Sequence, residues 1–472
     1  MSPAKREFTW VEGMAFALAY IGIQLNSETF NQWGTYFYSP TAGTGRIVYV
    51  PIGLVGVIFV IATVWDAVTD PWVGGLSDRT PREPGRWRFP RISGRRRPYI
   101  FWGSILMMFT FVGAWYPPVA GASYWNLAFG TVMLCAHFLM FTITTVPILA
   151  LGPEVARSQQ ARVQLGIWIG IGFIVGLAIA NALSGTLVTL FDTAPEGAPT
   201  SPTGYRRVAM LYAVISLVLF QLPVWLVRER FSPVLEHRLE TPWFTALKQA
   251  FRNRPFVCYF VGFFMFTTGF LAVQRILAYW AEAGLGGNEG TVTTLLIPYL
   301  VVALAALPLM PKLARVLRAK WMMVLALFLL SSSLPFMYVI GAADWAHSTK
   351  VFAGGVLFGY AGLGQGILYV MITPLLGEII DFDESRSGER REALYNGLSG
   401  VAWKASMAFS ILIATQSMSI WGNSVEEPLG IYLVGPIAGG CGIVGLVVML
   451  FYPKIEPATA DAAVTDPASP AP

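Results

Sequence analysis

Residues 64–97 read VWDAVTDPWVGGLSDRTPREPGRWRFPRISGRRR. Asp66 and Asp70 stand four apart at the end of an apolar run that begins near Ile47, so on a helix they share one face. Two carboxylates on one face in hydrocarbon repel each other and gain protons unless a cation lies between them, which marks an ion or proton site. Gly74-Gly75-Leu76-Ser77-Asp78-Arg79 follows, and then seven more arginines before Tyr99. A segment so basic stays on the cytoplasmic side of a membrane.

The rest of the chain fits that environment. Of 472 residues 55% are hydrophobic and 12% charged, with a mean hydropathy of +0.58, more apolar material than a soluble core uses. The net charge of +5 sits in short loops between apolar runs, which argues against nucleic acid as a partner. Cys135, Cys258 and Cys441 lie far apart, each inside an apolar run, so neither a disulfide framework nor a cysteine metal site is expected. The first run is too long and too poorly flanked for a cleaved signal peptide, and reads as a retained helix.

Runs long enough to cross roughly 30 Å of hydrocarbon occur at 10–38, 47–76, 98–117, 124–151, 163–190 and 207–227. Six more follow at 255–284, 291–311, 320–341, 350–377, 393–420 and 430–453. The expected fold is an all-α membrane protein of twelve transmembrane helices. It has an amino-terminal half (1–227), a cytoplasmic linker (228–254), a carboxy-terminal half (255–453) and a disordered tail (454–472). With both termini inside, 26 Lys and Arg fall in cytoplasmic segments and four in outer loops, Arg46, Arg206, Arg207 and Lys350. A weak repeat, PILALGPE at 147–154 and PLLGE at 374–378, falls on the fourth helix of each half and suggests parallel halves with a substrate path between them. On helix 5, Gly166, Gly170, Gly172 and Gly176 have the spacing of a close helix contact.

At about 1.5 Å of rise per residue, Asp66 lies about 15 Å and Asp70 about 9 Å from the inner end of helix 2, Thr142 about 14 Å up helix 4, and Lys404 about 17 Å up helix 11. Three helices thus bring two carboxylates, a hydroxyl and an ammonium to one level. Oxygens of this kind suit a hard monovalent cation such as Na+, and the lysine can stabilise the carboxylates in its place. The plainer reading, an Asp–Lys pair that only fixes packing, is a poor use of charge in hydrocarbon. Glu28 and Arg275 lie roughly 27–30 Å from the inner ends of helices 1 and 7. They read either as an outer gate pair, or with Arg275 gripping an anionic group, or as residues that snorkel to the interface. His137 reads as a packing residue more readily than as a proton relay.

WDAVTDPWVGGLSDRT with the basic loop ending Arg95-Arg96-Arg97-Pro98, TTVPILALGPEV (144–155) and LLGEIIDFDESRSGERREALYNGLSGVAWKASMAF (375–409) together resemble the glycoside-pentoside-hexuronide:cation symporters of the major facilitator superfamily. The resemblance implies a symporter working by alternating access, with Asp66 and Asp70 as cation-site carboxylates, Thr69 and Thr142 as oxygen ligands and Lys404 as the coupling lysine. It also locates departures from melibiose permease-like members. Gln24 and Thr145 stand where those carry acidic residues, Leu149 where they carry an aromatic, and Gly170 where they carry an arginine. The ion machinery is kept and the sugar machinery is not, which points to a less polar or an anionic solute.

The sequence therefore predicts a cation-coupled symporter, driven by Na+ or H+ and without cofactor, that imports a small glycoside, sugar or sugar acid; the alternative solute is an amphiphile such as a lysolipid. Gln24, Glu28, Thr145, Trp168, Arg275 and Tyr279 are substrate-cavity candidates, and Asp78, Arg79, Glu154, Glu378 and Asp381 are candidates for ion pairs at an inner gate. A monomer in a bacterial-type cytoplasmic membrane is expected, its partners the bilayer and a small solute. An enzyme is disfavoured, because the charged loop 383–392 has no nucleophile–base or metal-ligand spacing.

Overall fold

The computed structural model describes residues 8–80, 92, 94–156, 158–195, 200–229, 243–389 and 391–453. The expected tail, about half of the linker and much of the basic loop lie outside these residues. Among them, the only β feature is one isolated bridge, Ala42 to Ser424; everything else regular is helical.

Twelve spans follow in order among the described residues. The first is Trp10–Thr29 carried on through a π turn, Phe30–Gly34, and Thr35–Tyr38. Then come Ile52–Arg79, Arg97–Gly113, Tyr124–Val155, Gln159–Leu177 with its continuation to residue 190, and Pro202–Leu226. A short linker helix, Trp243–Ala250, leads to Arg254–Tyr279 and its π turn Trp280–Gly284, Glu289–Ala306, Ala319–Ser333 with Phe336–Ala342, His347–Ser387, Glu392–Trp421 and Leu429–Leu450. Ten of these are long and apolar enough to cross a membrane. The other two are the first, which is polar from its middle onward (Gln24 to Gln32), and the third, with 17 residues.

Local chemistry sets the ends. Thr9 and Glu12 form a capping box at the start of the first span. The second span begins at Ile52 rather than at Ile47, because Pro51 sets its entry and the N–H groups of Tyr49 and Val50 donate to the Tyr38 carbonyl instead. The tenth span runs ten residues past its apolar stretch, to Ser387, and stops where Gly388 takes a left-handed conformation (φ 72°) and returns its N–H to Glu384.

Packing repeats between the halves. In the first half the first span packs on the fifth and sixth, and the fourth on the second and third; in the second half the seventh packs on the eleventh and twelfth, and the tenth on the eighth and ninth. The same contact pattern displaced by six spans is the major facilitator arrangement of two pseudo-symmetric halves. Large apolar side chains such as Val68, Trp72, Phe109, Val132 and Phe352 remain exposed on its outside, as a lipid-facing surface requires. Of the four fifth-span glycines, Gly172 and Gly176 do meet the first span, at Ala17 and Gln24, whereas Gly166 and Gly170 face open space.

Consecutive spans alternate in direction, so Trp10 and Leu450 mark one end of the molecule, here the terminal end. At the opposite, distal end the halves meet closely. A Cβ on Gly53 or Gly56 would fall 2.7 Å from the Ser419 hydroxyl or 2.5 Å from that of Thr415, and one on Gly185 would strike the Glu289 carbonyl. Below that seam a cavity of about 730 Å³ separates the halves.

Candidate functional site

Asp66 and Asp70 occupy one face of the second span, while Trp65, Val68 and Trp72 cover the opposite, exposed face. Both carboxylates line the cavity. The Thr142 hydroxyl, fully buried on the fourth span, lies 2.9 Å from Asp66 Oδ1 and 2.9 Å from Asp70 Oδ1. From the eleventh span, across the interface between halves, Lys404 Nζ donates to Asp66 Oδ2 at 2.8 Å and to Asp70 Oδ2 at 2.5 Å. The side chains of Asp66 and Lys404 are 18% and 22% exposed and that of Asp70 37%, so the cluster meets the cavity through Asp70. One ammonium against two carboxylates leaves the group one negative charge in excess, in a setting where such an excess is costly. A monovalent cation held by the same oxygens, or a proton, removes it. The Thr69 hydroxyl donates to the Asp66 backbone carbonyl at 3.2 Å, along its own helix.

Toward the distal end the cavity wall changes from apolar to amide. Glu28 Oε2 accepts from Gln274 Nε2 at 2.6 Å and from Asn181 Nδ2 at 3.4 Å, and its Oε1 accepts from Asn31 Nδ2 at 3.2 Å. Gln274 belongs to the seventh span, so this cluster also joins the two halves. Glu28 and Arg275 are linked through Asn31, whose Oδ1 accepts from Arg275 Nη2 at 3.0 Å. Gln24, Glu28 and Thr145 line the cavity as expected of candidates. Arg275, Tyr279 and Trp168 stand outside its wall. Arg275 turns to the Asn31 carbonyl and the face of Phe59, Tyr279 donates to the Ser39 carbonyl, and Trp168 packs over Gly13. Asn31, Gln32, Asn181, Gln274 and Gln365, amides in otherwise apolar spans, line it instead, and none of them is among the sequence-derived candidates. The signal that could find them is their residue type, since carboxamides in hydrocarbon need partners as carboxylates do.

Above this layer lies a polar lock between the halves. Arg46, in the loop after the first span, pairs with Glu289 at 2.7 Å and Glu282 at 3.2 Å, both from the second half. The Tyr36 hydroxyl donates to Glu282 at 2.6 Å, and Tyr205 and Thr200 donate to Glu289 at 2.7 and 2.9 Å. Burial works against the Arg46 charge, but Tyr36, Tyr205, Glu289 and Glu282 outweigh it and hold the guanidinium above its ordinary range. This lock closes the cavity distally. Toward the terminal end the wall residues Leu149, Thr373 and Trp403 are exposed.

At the terminal end, the pairs of Arg95 and Arg96 with Glu154 and of Arg391 with Glu389 and Asp383 each lie within one half. Glu154 accepts from Arg95 at 2.7 Å and Arg96 at 2.8 Å, Glu229 accepts the backbone N–H groups of Arg95, Arg96 and Arg97, and Arg391 pairs with Glu389 and Asp383. Arg79, Glu378 and Asp381 are exposed, and the side chain of Asp78 lies outside those described. His137 is fully buried among Phe30, Phe111, Phe138 and Phe141, and neither ring nitrogen has a hydrogen-bond partner among the described residues.

The family profile described as MFS/sugar transport protein matches residues 15–453. Among curated relatives, the isoprimeverose transporter of Lactiplantibacillus pentosus is 23% identical, with 96% of this chain and 91% of that one covered. The putative glycoside/cation symporter YagG of Escherichia coli is 24% identical, covering 76% and 72%. The sodium-dependent lysophosphatidylcholine symporter 1-B of Danio rerio is 28% identical, covering 53% and 50%. Among solved structures, the nucleoside transporter NupG superposes with a TM-score of 0.60 at 10% identity over 94% of this chain and 98% of that one, a likeness of fold.

Proposed function

Because this chain belongs to the MFS/sugar transport protein family, on its glycoside-pentoside-hexuronide:cation symporter branch, and is a membrane transporter rather than an enzyme, we propose that it imports a small sugar-type solute together with Na+ or H+. The observation that carries this reading is the cluster of Asp66, Asp70, Thr142 and Lys404 at the edge of the interhalf cavity. It joins the carboxylates of one half to an ammonium of the other, so its charge state bears on how the halves sit.

In this mechanism the cation competes with Lys404 for Asp66 and Asp70. Binding removes the excess negative charge beside the cavity and frees the ammonium from the second span, which favours the solute and the closed arrangement around it. By linkage the solute raises cation affinity by the same factor. The count of basic residues supports a cytoplasmic terminal end. The geometry then corresponds to an inward-facing arrangement, with the Arg46 lock holding the outer side shut. Parting of Arg46 from Glu282 and Glu289 opens that side, while the charged terminal ends of the spans come together.

A second reading, an amphiphile such as a lysolipid, has the phenyl-rich cavity wall in its favour. Reconstitution in proteoliposomes tests the proposal. Uptake of radiolabelled pentoses, hexoses and their glycosides is followed under an imposed inward Na+ gradient or an imposed proton gradient. Accumulation above equilibrium of one such compound under one of these gradients is the expected result; equilibration of every compound regardless of gradient refutes cation coupling.

A further inference from the structure

Glu28 and Arg275 are buried charges from opposite halves that the cation cycle does not use, and a single carboxamide stands between them. Asn31 Nδ2 donates to Glu28 Oε1 at 3.2 Å. Its Oδ1 accepts from Arg275 Nη2 at 3.0 Å, and its backbone carbonyl accepts from Nη1 at 3.1 Å. A carboxylate only accepts and a guanidinium only donates, so the amide stands one way round, each end against the charge it suits. Without that connection both charges would lie buried and unpaired, which is costly.

The backbone lets Asn31 serve both. It lies in the π turn Phe30–Gly34, a break in the α-helical ladder of the kind that recurs at functional sites. Two further π turns among the described residues have their carbonyls bonded by side chains of their own half. Tyr212 of the sixth span donates to Ile179 in the turn Ala178–Leu183; Tyr432 of the twelfth and Lys350 of the tenth donate to Ala283 and Gly284 in the turn Trp280–Gly284. The turn in the first span instead takes Arg275, from the opposite half. The preceding residue, Gln274, donates to Glu28 at 2.6 Å and to Asn181 at 3.0 Å, so consecutive residues of the seventh span grip the first half on either side of Glu28 and Asn31. Four residues beyond Arg275, Tyr279 packs edge-on against Tyr36 of the distal lock, ring centroids 4.8 Å apart.

We propose that Asn31 is a positioning residue of the transport cycle: it relays the charge of Glu28, on the cavity wall, to Arg275 and so clasps the seventh span to the first whenever the distal end is closed. The clasp is a second closure on the cavity side of the Arg46 lock. It parts when the halves separate, and both charges then meet water. The proposal rests on the transport reading and adds to it the residue that seals the distal roof of the cavity.

Sidedness of labelling in proteoliposomes tests the relay on the whole protein. Cys135, Cys258 and Cys441 are replaced by alanine, and Thr145, which lines the cavity from the fourth span, by cysteine. A membrane-impermeant maleimide is applied at the distal and at the terminal end, and the ratio of the two rates cancels differences in thiol reactivity. Glu28→Gln, Arg275→Met and Asn31→Leu should each raise the distal share about tenfold or more, since each strands a buried charge in the closed form. Glu28→Gln with Arg275→Met removes both charges and should return the ratio to within about threefold of the parent; in that neutral pair Asn31→Leu should lose most of its effect. An unchanged ratio in Asn31→Leu at an unchanged melting temperature overturns the proposal, as does a roughly hundredfold rise in the double variant, the product of independent effects. If Arg275→Met does not fold, Glu28→Gln, which keeps the shape of the side chain, decides alone: a tenfold rise supports the relay and an unchanged ratio overturns it. Neither cation nor solute enters the measurement, so failure of the relay leaves cation-coupled transport standing, and failure of gradient-driven accumulation leaves the labelling result as it is.

Discussion

Replacing Arg46 with alanine should open the distal end of the molecule. The guanidinium is 7% exposed and holds Glu289, fully buried, and Glu282, 12% exposed, from the opposite half. Its loss strands two carboxylates in the seam while the halves are together; once they part, both carboxylates are hydrated. Removing one partner of a buried ion pair costs about 3–5 kcal/mol, and the lower end applies because Glu282 keeps some solvent. At about 1.4 kcal/mol per tenfold, a penalty of about 3 kcal/mol shifts the balance toward the distal-open form roughly a hundredfold. The assay uses a protein with Cys135, Cys258 and Cys441 replaced by alanine and Ser27, which lines the cavity, replaced by cysteine. A membrane-impermeant maleimide is applied from the distal side. Labelling should accelerate by about two orders of magnitude in Arg46→Ala, and adding Glu289→Gln should reverse much of the gain by removing a stranded charge. Unchanged labelling in a variant with an unchanged melting temperature would refute the reasoning.

The seam can also be wedged apart. Gly56→Leu places a side chain where a Cβ alone falls 2.5 Å from Thr415 Oγ1, and should hold the distal end open at a cost to closure of about 1–3 kcal/mol; accumulation stops while fluorescence-detected gel filtration still shows folded protein. Thr142→Val removes the hydroxyl oxygen that stands 2.9 Å from both carboxylates and would ligate the cation beside them, and since a polar contact to a charged group contributes about 1.5–3 kcal/mol, the cation concentration for half-maximal uptake should rise about ten- to a hundredfold. His137→Phe should leave uptake unchanged and the melting temperature equal or higher, because the imidazole has no hydrogen-bond partner among the described residues and sits in phenyl surroundings; loss of uptake in a folded protein would instead identify a proton relay.

Much of this architecture is readable from one chain because hydrocarbon makes charge conspicuous. The i, i+4 spacing of Asp66 and Asp70 fixes a shared helix face, and rise per residue alone brings Thr142 and Lys404 to their level; the structure places all four within hydrogen-bonding distance. Span ends are less legible where apolar residues serve a loop, as Tyr49 and Val50 do, or where a helix outlasts the apolar stretch, as to Ser387. The distal lock is not legible at all. Arg46 looks like one outer-loop charge among four, and its partners come more than two hundred residues later. Depth also misleads. It sets Arg275 level with Glu28 but is silent on rotation about the helix axis, and the guanidinium points to Asn31 and Phe59, away from the cavity that its neighbour Gln274 lines.

The competition between a cation and Lys404 for Asp66 and Asp70 is tested most directly by gradient-driven accumulation in Asp66→Asn proteoliposomes. The carboxamide keeps the shape of the cluster and removes the negative charge in excess over Lys404, so the variant should still exchange solute across the membrane but should not concentrate it under a Na+ or proton gradient. Accumulation at the wild-type level in that variant would contradict the account.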